Sequence, residues 1–503
     1  MLQNFLYFIF ARMVLHNLFC LTHTIKKRWA MRQIINEKIN NFKKQLHNSD
    51  DFSSRVFVCK KGTIGFVFLK SMSDPTLFSQ SIYLPIQNFS DEINAKSLIE
   101  KILKNNVVEK INENGIITNI LDGKVVIFSD FFNEIISVDI AKYPTRIPSE
   151  PPTSPVIQGP REGFVEDFNT NITLLRRRIH SKDLVFETLN VGKVTQTKVV
   201  LSYIEGIADQ KVIDEIKKKI SKIKIDGIVD SYYILSFLEK RPNSLFKQIG
   251  NSEKPDIVVS KMLEGKVAII VDNSPIVLTV PFILIEDMQS SNDYYTNHHY
   301  STVVRLVRMF GLLIAIVAPG FYLALQLFHY NILPLNFLIT IANTTQGLPF
   351  TPFLEILFIF LLFQILYEVS LRLPSYLGLA TSVVGALILG DTGVKAGLIS
   401  PPGVIITALA KIALYTVPEE QSQITVLQIV FIILGGSLGI LGIVTGFVYV
   451  VNYLNTLDDF NSPYLAPYAP RIKEDLQDAL IKVAPNEMKS PPKSFSGSKE
   501  GEK

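Results

Sequence analysis

The sequence predicts two small mixed α/β subdomains followed by an all-α polytopic transmembrane domain. Apolar residues dominate from about residue 303 to about residue 454, whereas the preceding part has the composition of a soluble protein. That preceding part alternates short β-branched runs with amphipathic helical patterns, which is typical of α/β structure. A chain of 503 residues has room for about three such units, at roughly 100–200 residues each.

A Pro-rich stretch and the change in composition set the predicted divisions. Six prolines between residues 144 and 160 predict an extended, semi-rigid linker. The expected units are an N-terminal extension of uncertain status (1–30), a first cytoplasmic α/β subdomain (31–143), the linker (144–160), a second cytoplasmic α/β subdomain (161–290), the transmembrane domain (303–455) and a cytoplasmic tail (456–503) that is disordered from about residue 485.

The N-terminal extension allows two interpretations. Residues 2–21 are apolar but are interrupted by Arg12 and His16, and no small-residue cleavage site follows them. Either translation starts at Met31 and the upstream stretch is not part of the protein, or the stretch is a marginal anchor or interfacial helix. The sequence does not decide between Met1 and Met31.

Charge and cysteine usage exclude several classes of function. Lys plus Arg (50) nearly balances Asp plus Glu (46), and the basic residues are dispersed, so nucleic-acid binding is not expected. Cys20 and Cys59 form no CxxC motif and no Cys/His spacing suited to zinc. The soluble region contains no Ser/His/Asp set, no carboxylate pair in a motif and no phosphate-binding loop. We therefore predict a protein that is not an enzyme, with no metal site and no cofactor.

The first subdomain is predicted to begin with a surface helix over 31–48, and Asp122-Gly123 is predicted to connect two strands as a hairpin. The remaining elements are a helix over 91–104 and strands over 56–58, 63–70, 115–121, 124–128 and 135–139.

The second subdomain is predicted to end in another hairpin, whose turn is 272–275. Both subdomains contain the pattern Leu-x-Gly-Lys-Val, at 121–125 and at 263–267, each time opening the predicted hairpin, which suggests an internal duplication. The other predicted elements are helices over 163–178, 210–223 and 234–238, strands over 198–204, 266–271 and 276–280, and a strand or turn over 227–231.

The transmembrane domain is predicted to contain four to five spans, at roughly 20 apolar residues per crossing. Loop charges at Arg305, Arg308, Arg471 and Lys473 predict that the soluble half and the tail are both cytoplasmic. Both ends inside require an even number of crossings, so we prefer four. The apolar segments are 303–328, 353–371, 377–389, 397–417 and 426–454.

Acidic residues within the apolar segments are candidates for an ion path. We predict that Glu355 and Glu368 line one polar face and that Asp391 also borders the path, since acidic rings favour cations. The alternative is that Glu355 sits at the membrane interface, that Glu368 pairs with Arg372, four residues away, and that Asp391 pairs with Lys395 in the same way. Both interpretations remain open for Glu368 and Asp391.

Small residues and prolines predict helix contacts and a helix break. Gly435, Gly439, Gly442 and Gly446 give two consecutive G-x-x-x-G spacings, which favour close packing on another helix or on a neighbouring subunit. The segment 401–403, Pro401-Pro402-Gly403, predicts either a broken helix at membrane depth or a plain interhelical loop. In the soluble part, Arg176, Arg177 and Arg178 are expected to form a solvated helix end, with binding of anionic lipid or of an acidic partner as the alternative.

Several motifs occur in order across both halves of the chain, between about residues 137 and 480. Together they resemble the A-subunit family of the GerA-type spore germination receptors of endospore-forming bacteria. The motifs are Gly-Pro-Arg-Glu-Gly-Phe (159–164), Asn-Ile-Thr-Leu-Leu-Arg-Arg-Arg-Ile (171–179), Tyr-Ile-Glu-Gly-Ile-Ala (203–208), Leu-Glu-Gly-Lys-Val-Ala (263–268), Asp-Tyr-Tyr (293–295), Leu-Pro (333–334), Pro-Phe (349–350), Arg-Leu-Pro (372–374), Gly-Ala-Leu-Ile-Leu-Gly (385–390), Gly-Leu-Ile-Ser-Pro (397–401) and Pro-Tyr-Leu-Ala-Pro (463–467).

The resemblance implies a non-enzymatic receptor subunit of the spore inner membrane. It implies a transporter-like B subunit and a lipoprotein C subunit as partners, contact with membrane lipid, and oligomerisation, with a pentamer as one expected assembly, into a nutrient-gated ion channel. The chain departs from the family at Glu368-Val369-Ser370 and Asp391-Thr392-Gly393, where family members often have Ala after Glu. Two alternatives remain, a transporter of the germinant itself and a structural scaffold for the receptor complex. The germinant and the stoichiometry do not follow from the sequence.

Overall fold

A computed structural model of the chain describes residues 32–59, 62–89, 93–103, 107–142, 158–373 and 387–484, together with Val383, Gly385 and Asn486. The predicted N-terminal extension, residues 144–157 of the predicted linker, most of the predicted span 377–389 and the tail beyond residue 486 lie outside the described residues.

The first soluble unit is a five-stranded antiparallel sheet covered by helices on both faces. Every residue of its central strands β2 and β4 is buried, because alternate side chains pack on the helices of opposite faces. The strands are β1 Phe52–Val58, β2 Thr63–Leu69, β3 Val108–Ile111, β4 Val125–Ser129 and β5 Ile135–Val138, in the order β1-β2-β4-β5-β3. The helical segments are 32–45, Pro75–Leu77, Phe78–Tyr83, Leu84–Asn88, Ala95–Ser97, Leu98–Ile102 and Ile116–Leu121.

The second soluble unit repeats this arrangement. Its strands are β6 Leu184–Val191, β7 Thr197–Ile204, β8 Gly250–Ser252, β9 Val267–Val271 and β10 Val277–Val280, in the order β6-β7-β9-β10-β8. This order equals that of the first sheet when the strands are counted from the start of each unit. Its helices are Phe168–Arg178, Gln210–Ser221, Ser231–Leu238 and Pro255–Leu263.

The repeated Leu-x-Gly-Lys-Val pattern occupies the same place in both sheets. In each unit it joins a helix to the fourth strand, and the glycines at the helix ends, Gly123 and Gly265, have φ of 81° and 101°. Glycine takes this left-handed conformation at the end of a helix without a Cβ penalty. The predicted strand over 115–121 is therefore wrong. Ile116 and Ile120 are spaced by four and bury one helical face instead, so Asp122-Gly123 ends a helix and does not connect two strands.

Among the described residues, three helices are long and apolar enough to cross a membrane. We call His298–Phe328 the first membrane helix, Pro352–Arg372 the second and Gln421–Asn455 the last. Pro401–Leu414, the short apolar helix, has 14 residues, and Leu335–Thr345 lies between the first two membrane helices. The predicted fold class, α/β units followed by a helical membrane domain, is confirmed.

The last membrane helix reverses direction at Gly439. This residue has φ 67° and ψ −147°, outside the helical region. A Cβ on Gly442 would lie 2.3 Å from the carbonyl oxygen of Leu434, whereas residues eight positions apart in a straight helix are about 12 Å apart along the axis. The two arms before and after Gly439 therefore pack against each other as a helical hairpin.

Contacts at both ends of this hairpin agree with the reversal. Val417, just before it, packs in one cluster with Ile283 of the second soluble unit. Tyr453, near its end, stacks on Phe246 of the same unit with ring centroids 5.9 Å apart. A straight helix of 35 residues would separate these ends by about 50 Å. The sequence predicts one final span, and the structure has two antiparallel segments instead.

Candidate functional site

Glu355 ties the second membrane helix to the short apolar helix. It lies in the first turn of the second membrane helix and is only 2% exposed. Its Oε1 accepts hydrogen bonds from the Ser400 N–H (2.7 Å) and from the Ser400 hydroxyl (2.5 Å). Ser400 caps the short apolar helix, so the carboxyl group of Glu355 fixes the start of that helix. Within one chain, Glu355 is closed off from any path along the outer surface.

Glu368 does not share a face with Glu355. Their spacing of 13 residues is a rotation of about 220° around a helix, and Glu368 is accordingly on the exposed side. It pairs with Arg372 at 2.5 Å, with side chains 52% and 78% exposed. Asp391 pairs with Lys395 at 2.7 Å, and both of these side chains are also exposed.

The segment Pro401-Pro402-Gly403 opens a helix and does not interrupt one. The prolines occupy the first helical positions, where a missing N–H leaves no hydrogen bond unmade. The Ser400 hydroxyl accepts a hydrogen bond from the Gly403 N–H at 3.2 Å. A Cβ at Gly403 would lie 2.8 Å from Glu355 Oε1, so the glycine allows the carboxyl group to approach the helix start.

The four glycines that were predicted to pack, Gly435, Gly439, Gly442 and Gly446, serve different contacts. A Cβ on Gly435 would lie 2.1 Å from the carbonyl oxygen of Gly320, so the first and last membrane helices touch through their backbones. Gly439 forms the reversal. Gly442 and Gly446 face the opposite arm of the hairpin, where Leu434 lies within 2.3–2.6 Å of the positions that their Cβ atoms would take.

A buried ionic cluster joins the first membrane helix to the tail. Arg305 is buried and contacts Asp293 at 3.2 Å and Asp478 at 2.9 Å. Arg308 holds the same Asp293 carboxylate at 3.0 and 3.1 Å. Burial raises the pKa of Asp293, but hydrogen bonds from Arg308 and the Ser290 N–H, together with the charges of both arginines, outweigh burial and lower it. We call this region, where the second soluble unit, the membrane helices and the tail meet, the junction.

The junction changes how the loop arginines are interpreted. From the sequence, Arg305 and Arg308 are loop charges that indicate membrane orientation. Their charges are instead balanced by Asp293 and Asp478. In the tail, Tyr464 is buried against Phe282 of the second soluble unit. These partners are far apart in the sequence, so no local pattern indicated them.

Arg305→Ala is expected to loosen the tail. The change leaves the Asp293 and Asp478 carboxylates without their shared cation, and losing a partner of a buried polar group costs about 1–3 kcal/mol. We expect faster proteolytic cleavage of residues 475–484 in the detergent-solubilised chain. Lys473→Ala removes the same charge from an exposed position of the tail and is the matched control. Equal cleavage rates in the two variants would show that Arg305 does not hold the tail in place.

A second buried ion pair joins the two soluble units. Arg176 is fully buried and contacts Asp51 of the first unit at 2.9 Å. Its Nη1 also donates to the carbonyl oxygen of Leu184 at 3.0 Å. The prediction of a solvated helix end is therefore wrong for Arg176, whereas Arg177 and Arg178 pair with Glu162 nearer the surface.

The described parts of the chain contain no group of three or more His, Cys, Asp or Glu side chains placed to hold a metal ion.

Comparisons with known proteins cover most of the chain. The model of the Bacillus/Clostridium GerA spore germination protein family matches residues 40–494. The chain is 36% identical to Spore germination protein KA of Bacillus subtilis (strain 168) over 73% of this chain and 68% of that protein. It is 28% identical to Spore germination protein B1 of the same organism over 89% of this chain and 94% of that protein. Among solved structures, the N-terminal domain of the A subunit of the Bacillus megaterium spore germinant receptor GerK3 is 29% identical, with a TM-score of 0.37, over 49% of this chain and 95% of that one.

Proposed function

Because this chain belongs to the Bacillus/Clostridium GerA spore germination protein family, we propose that it is the A subunit of a nutrient-sensing spore germination receptor. Copies of the subunit assemble around their membrane helices into an ion channel, and opening of the channel starts germination. The role is that of a receptor subunit and not of an enzyme.

The observation that carries the channel proposal is the exposed face of the second membrane helix. Only 22% of the apolar 18-residue stretch of this helix is buried within the chain, against 33% and 44% for the corresponding stretches of the other two candidate spans. Leu361 and Ile365 are exposed on it, and the Glu368–Arg372 pair follows in the last turns. Charged side chains in a membrane segment require protein, water or the interface around them. Neighbouring copies that meet at this face would gather one carboxylate each into a ring that favours cations.

This arrangement changes which acids we propose for the ion path. Glu368 and Asp391 are exposed on the chain surface and are therefore available to a path between copies. Glu355 is buried and holds Ser400, so we assign it to helix packing.

The membrane topology we propose places the soluble units and the tail on the cytoplasmic side of the spore inner membrane. Its support is direct contact between these parts. Lys240 of the second soluble unit pairs with Asp458, and the Arg241 guanidinium donates to the Thr456 carbonyl oxygen at 2.8 Å. Segments before and after the membrane helices thus lie on one side. The proposed partners are a transporter-like B subunit and a lipoprotein C subunit of the same receptor.

Nutrient-triggered ion release from spores tests the path assignment. Glu368→Gln, in a receptor with all its subunits, is expected to slow the release of monovalent cations because each copy loses one carboxylate from the proposed ring. The exchange variant Glu368→Arg with Arg372→Glu is the control, since it keeps the ion pair but moves the carboxylate by one helical turn. We expect the exchange not to restore wild-type release.

Two outcomes would overturn the proposal. Full restoration by the exchange variant means that the pair only stabilises the helix. Wild-type release by Glu368→Gln, at equal subunit abundance in the spore membrane, means that Glu368 does not border the path. Conductance of the purified chain in planar bilayers then separates a channel from a scaffold, and nutrient uptake into vesicles separates both from a transporter.

A further inference from the structure

Two carboxyl groups meet in the junction where the last membrane helix begins. Glu420, in the turn before that helix, is 3% exposed. Val417, three residues before Glu420, packs in one cluster with Ile285 and Met288, which lie on either side of Asp287 in the second soluble unit, and the carboxyl groups of Glu420 and Asp287 face each other there. Asp287 is also buried and pairs with Lys247 at 3.1 Å. The contact between Glu420 and Asp287 thus joins a soluble unit directly to the helical hairpin.

The charges around this pair do not balance without a proton. Lys247 supplies one positive charge, which compensates one of the two buried carboxylates. Of the other charged groups nearby, Glu419 is exposed and adds negative charge, and Arg308 is already bound to Asp293. Two buried carboxyl groups in contact cannot both ionise without a large electrostatic cost.

Unpartnered polar atoms mark the same place. Within the described part of the chain, Glu420 Oε1 and the Tyr464 hydroxyl are buried and have no hydrogen-bond partner. Tyr464 is 1% exposed and lies within range of the charges of Glu420, Asp287 and Glu286. Glu286 itself is neutralised by Lys261 and Lys266, so these two lysines are not available to neutralise the Asp287–Glu420 pair.

We propose that Asp287 and Glu420 form a buried proton-binding site, in which one shared proton fastens the second soluble unit to the last membrane helix. The protonated carboxyl group donates a hydrogen bond to the ionised one, and Lys247 neutralises the remaining charge. Loss of the proton leaves one uncompensated buried charge and pushes the two groups apart. The contact is therefore sensitive to pH at the place where the soluble units meet the membrane hairpin.

The sign of the pH effect follows from proton linkage. The folded protein holds a proton that exposed carboxyl groups of the unfolded chain have already lost above about pH 4–5. Stability therefore falls as the pH rises through the range in which the folded pair releases its proton. Because the two carboxyl groups share the proton, it is not assigned to one of the two residues.

Thermal unfolding of the full chain in detergent, measured between about pH 6 and pH 9, tests the site through this linkage. We expect the unfolding temperature of the wild type to fall as the pH rises. Glu420→Gln and Asp287→Asn keep the shape of the protonated pair and remove its titration, so the fall should be reduced in both. Glu113→Gln removes the same charge from an exposed position of the first soluble unit, outside the junction, and should keep the wild-type dependence.

Protease cleavage near residues 418–420 provides a readout that needs no variant of the pair to fold. In the wild type, cleavage relative to an exposed reference site should increase with pH as the contact opens. A wild-type cleavage ratio that is constant over this range overturns the proposal, as does a pH dependence that Glu420→Gln and Asp287→Asn both retain. Neither measurement depends on ion conduction, so failure here is distinguishable from failure of the proposed channel function.

Discussion

Gly435→Leu is expected to prevent the membrane helices from packing. A Cβ at this position would lie 2.1 Å from the carbonyl oxygen of Gly320, and both partners are backbone, which cannot rotate away as a side chain can. Overpacking a well-filled core usually costs about 1–3 kcal/mol. We expect a larger loss, because the first and last membrane helices would have to separate along their length. The yield of monodisperse protein in detergent and its unfolding temperature measure the effect.

Gly390→Leu is the matched control for this change. A Cβ at Gly390 meets no atom within 4 Å, so the same gain in volume should leave the yield and unfolding temperature near those of the wild type. Gly320→Ala tests the contact from its other side, since its Cβ would lie 2.1 Å from the Phe431 carbonyl oxygen. If the Gly435→Leu variant unfolded at the same temperature as the wild type, the two helices would not touch through their backbones.

Sequence periodicity predicted the strands that are buried on both faces and failed where local patterns fit two structures. The runs that became β2, β4, β7 and β9 are rich in Val, Ile and Phe, and burial on both faces explains that composition. Residues 116–121 are equally β-branched but form a helix. The choice between the two depends on packing against β2 and β4, which periodicity within one segment does not contain.

The candidate site was predictable only as far as its contacts are local. Pairs four residues apart, such as Glu368 and Arg372, follow from helix geometry alone. Glu355 binds Ser400 across 45 residues, and Arg305 binds Asp478 across 173. No spacing rule connects such positions, so the sequence indicated buried charges without their partners. The reversal at Gly439 was missed because a glycine within an apolar run is equally consistent with a straight helix.

Arg176→Ala is expected to separate the two soluble units and to lower the free energy of unfolding by about 3–5 kcal/mol, the cost of breaking a buried ion pair by removing one partner. The Asp51 carboxylate would keep its hydrogen bonds from Ser49 (2.6 Å) and Ser71 (3.0 Å) but lose its only fully buried cationic partner among the described residues. The contact of the guanidinium with the ring of Phe186, 4.9 Å from its centroid, is lost as well. Chemical denaturation of the full chain in detergent, followed by circular dichroism, measures the change.

Arg177→Ala is the control, because the neighbouring arginine pairs with Glu162 at 3.4 Å in a more exposed position, and exposed ion pairs contribute about 0–1 kcal/mol. The double variant Arg176→Met with Asp51→Leu separates charge from packing. It removes both charges together, and replacing a buried ion pair by apolar side chains of similar volume is often neutral. We therefore expect the double variant to recover much of the stability lost in Arg176→Ala. Equal effects of Arg176→Ala and Arg177→Ala would contradict a structural role for the buried pair, and the two soluble units would then be joined mainly by their backbone contacts, such as the hydrogen bond from the Asp50 N–H to the Phe186 carbonyl oxygen at 2.8 Å.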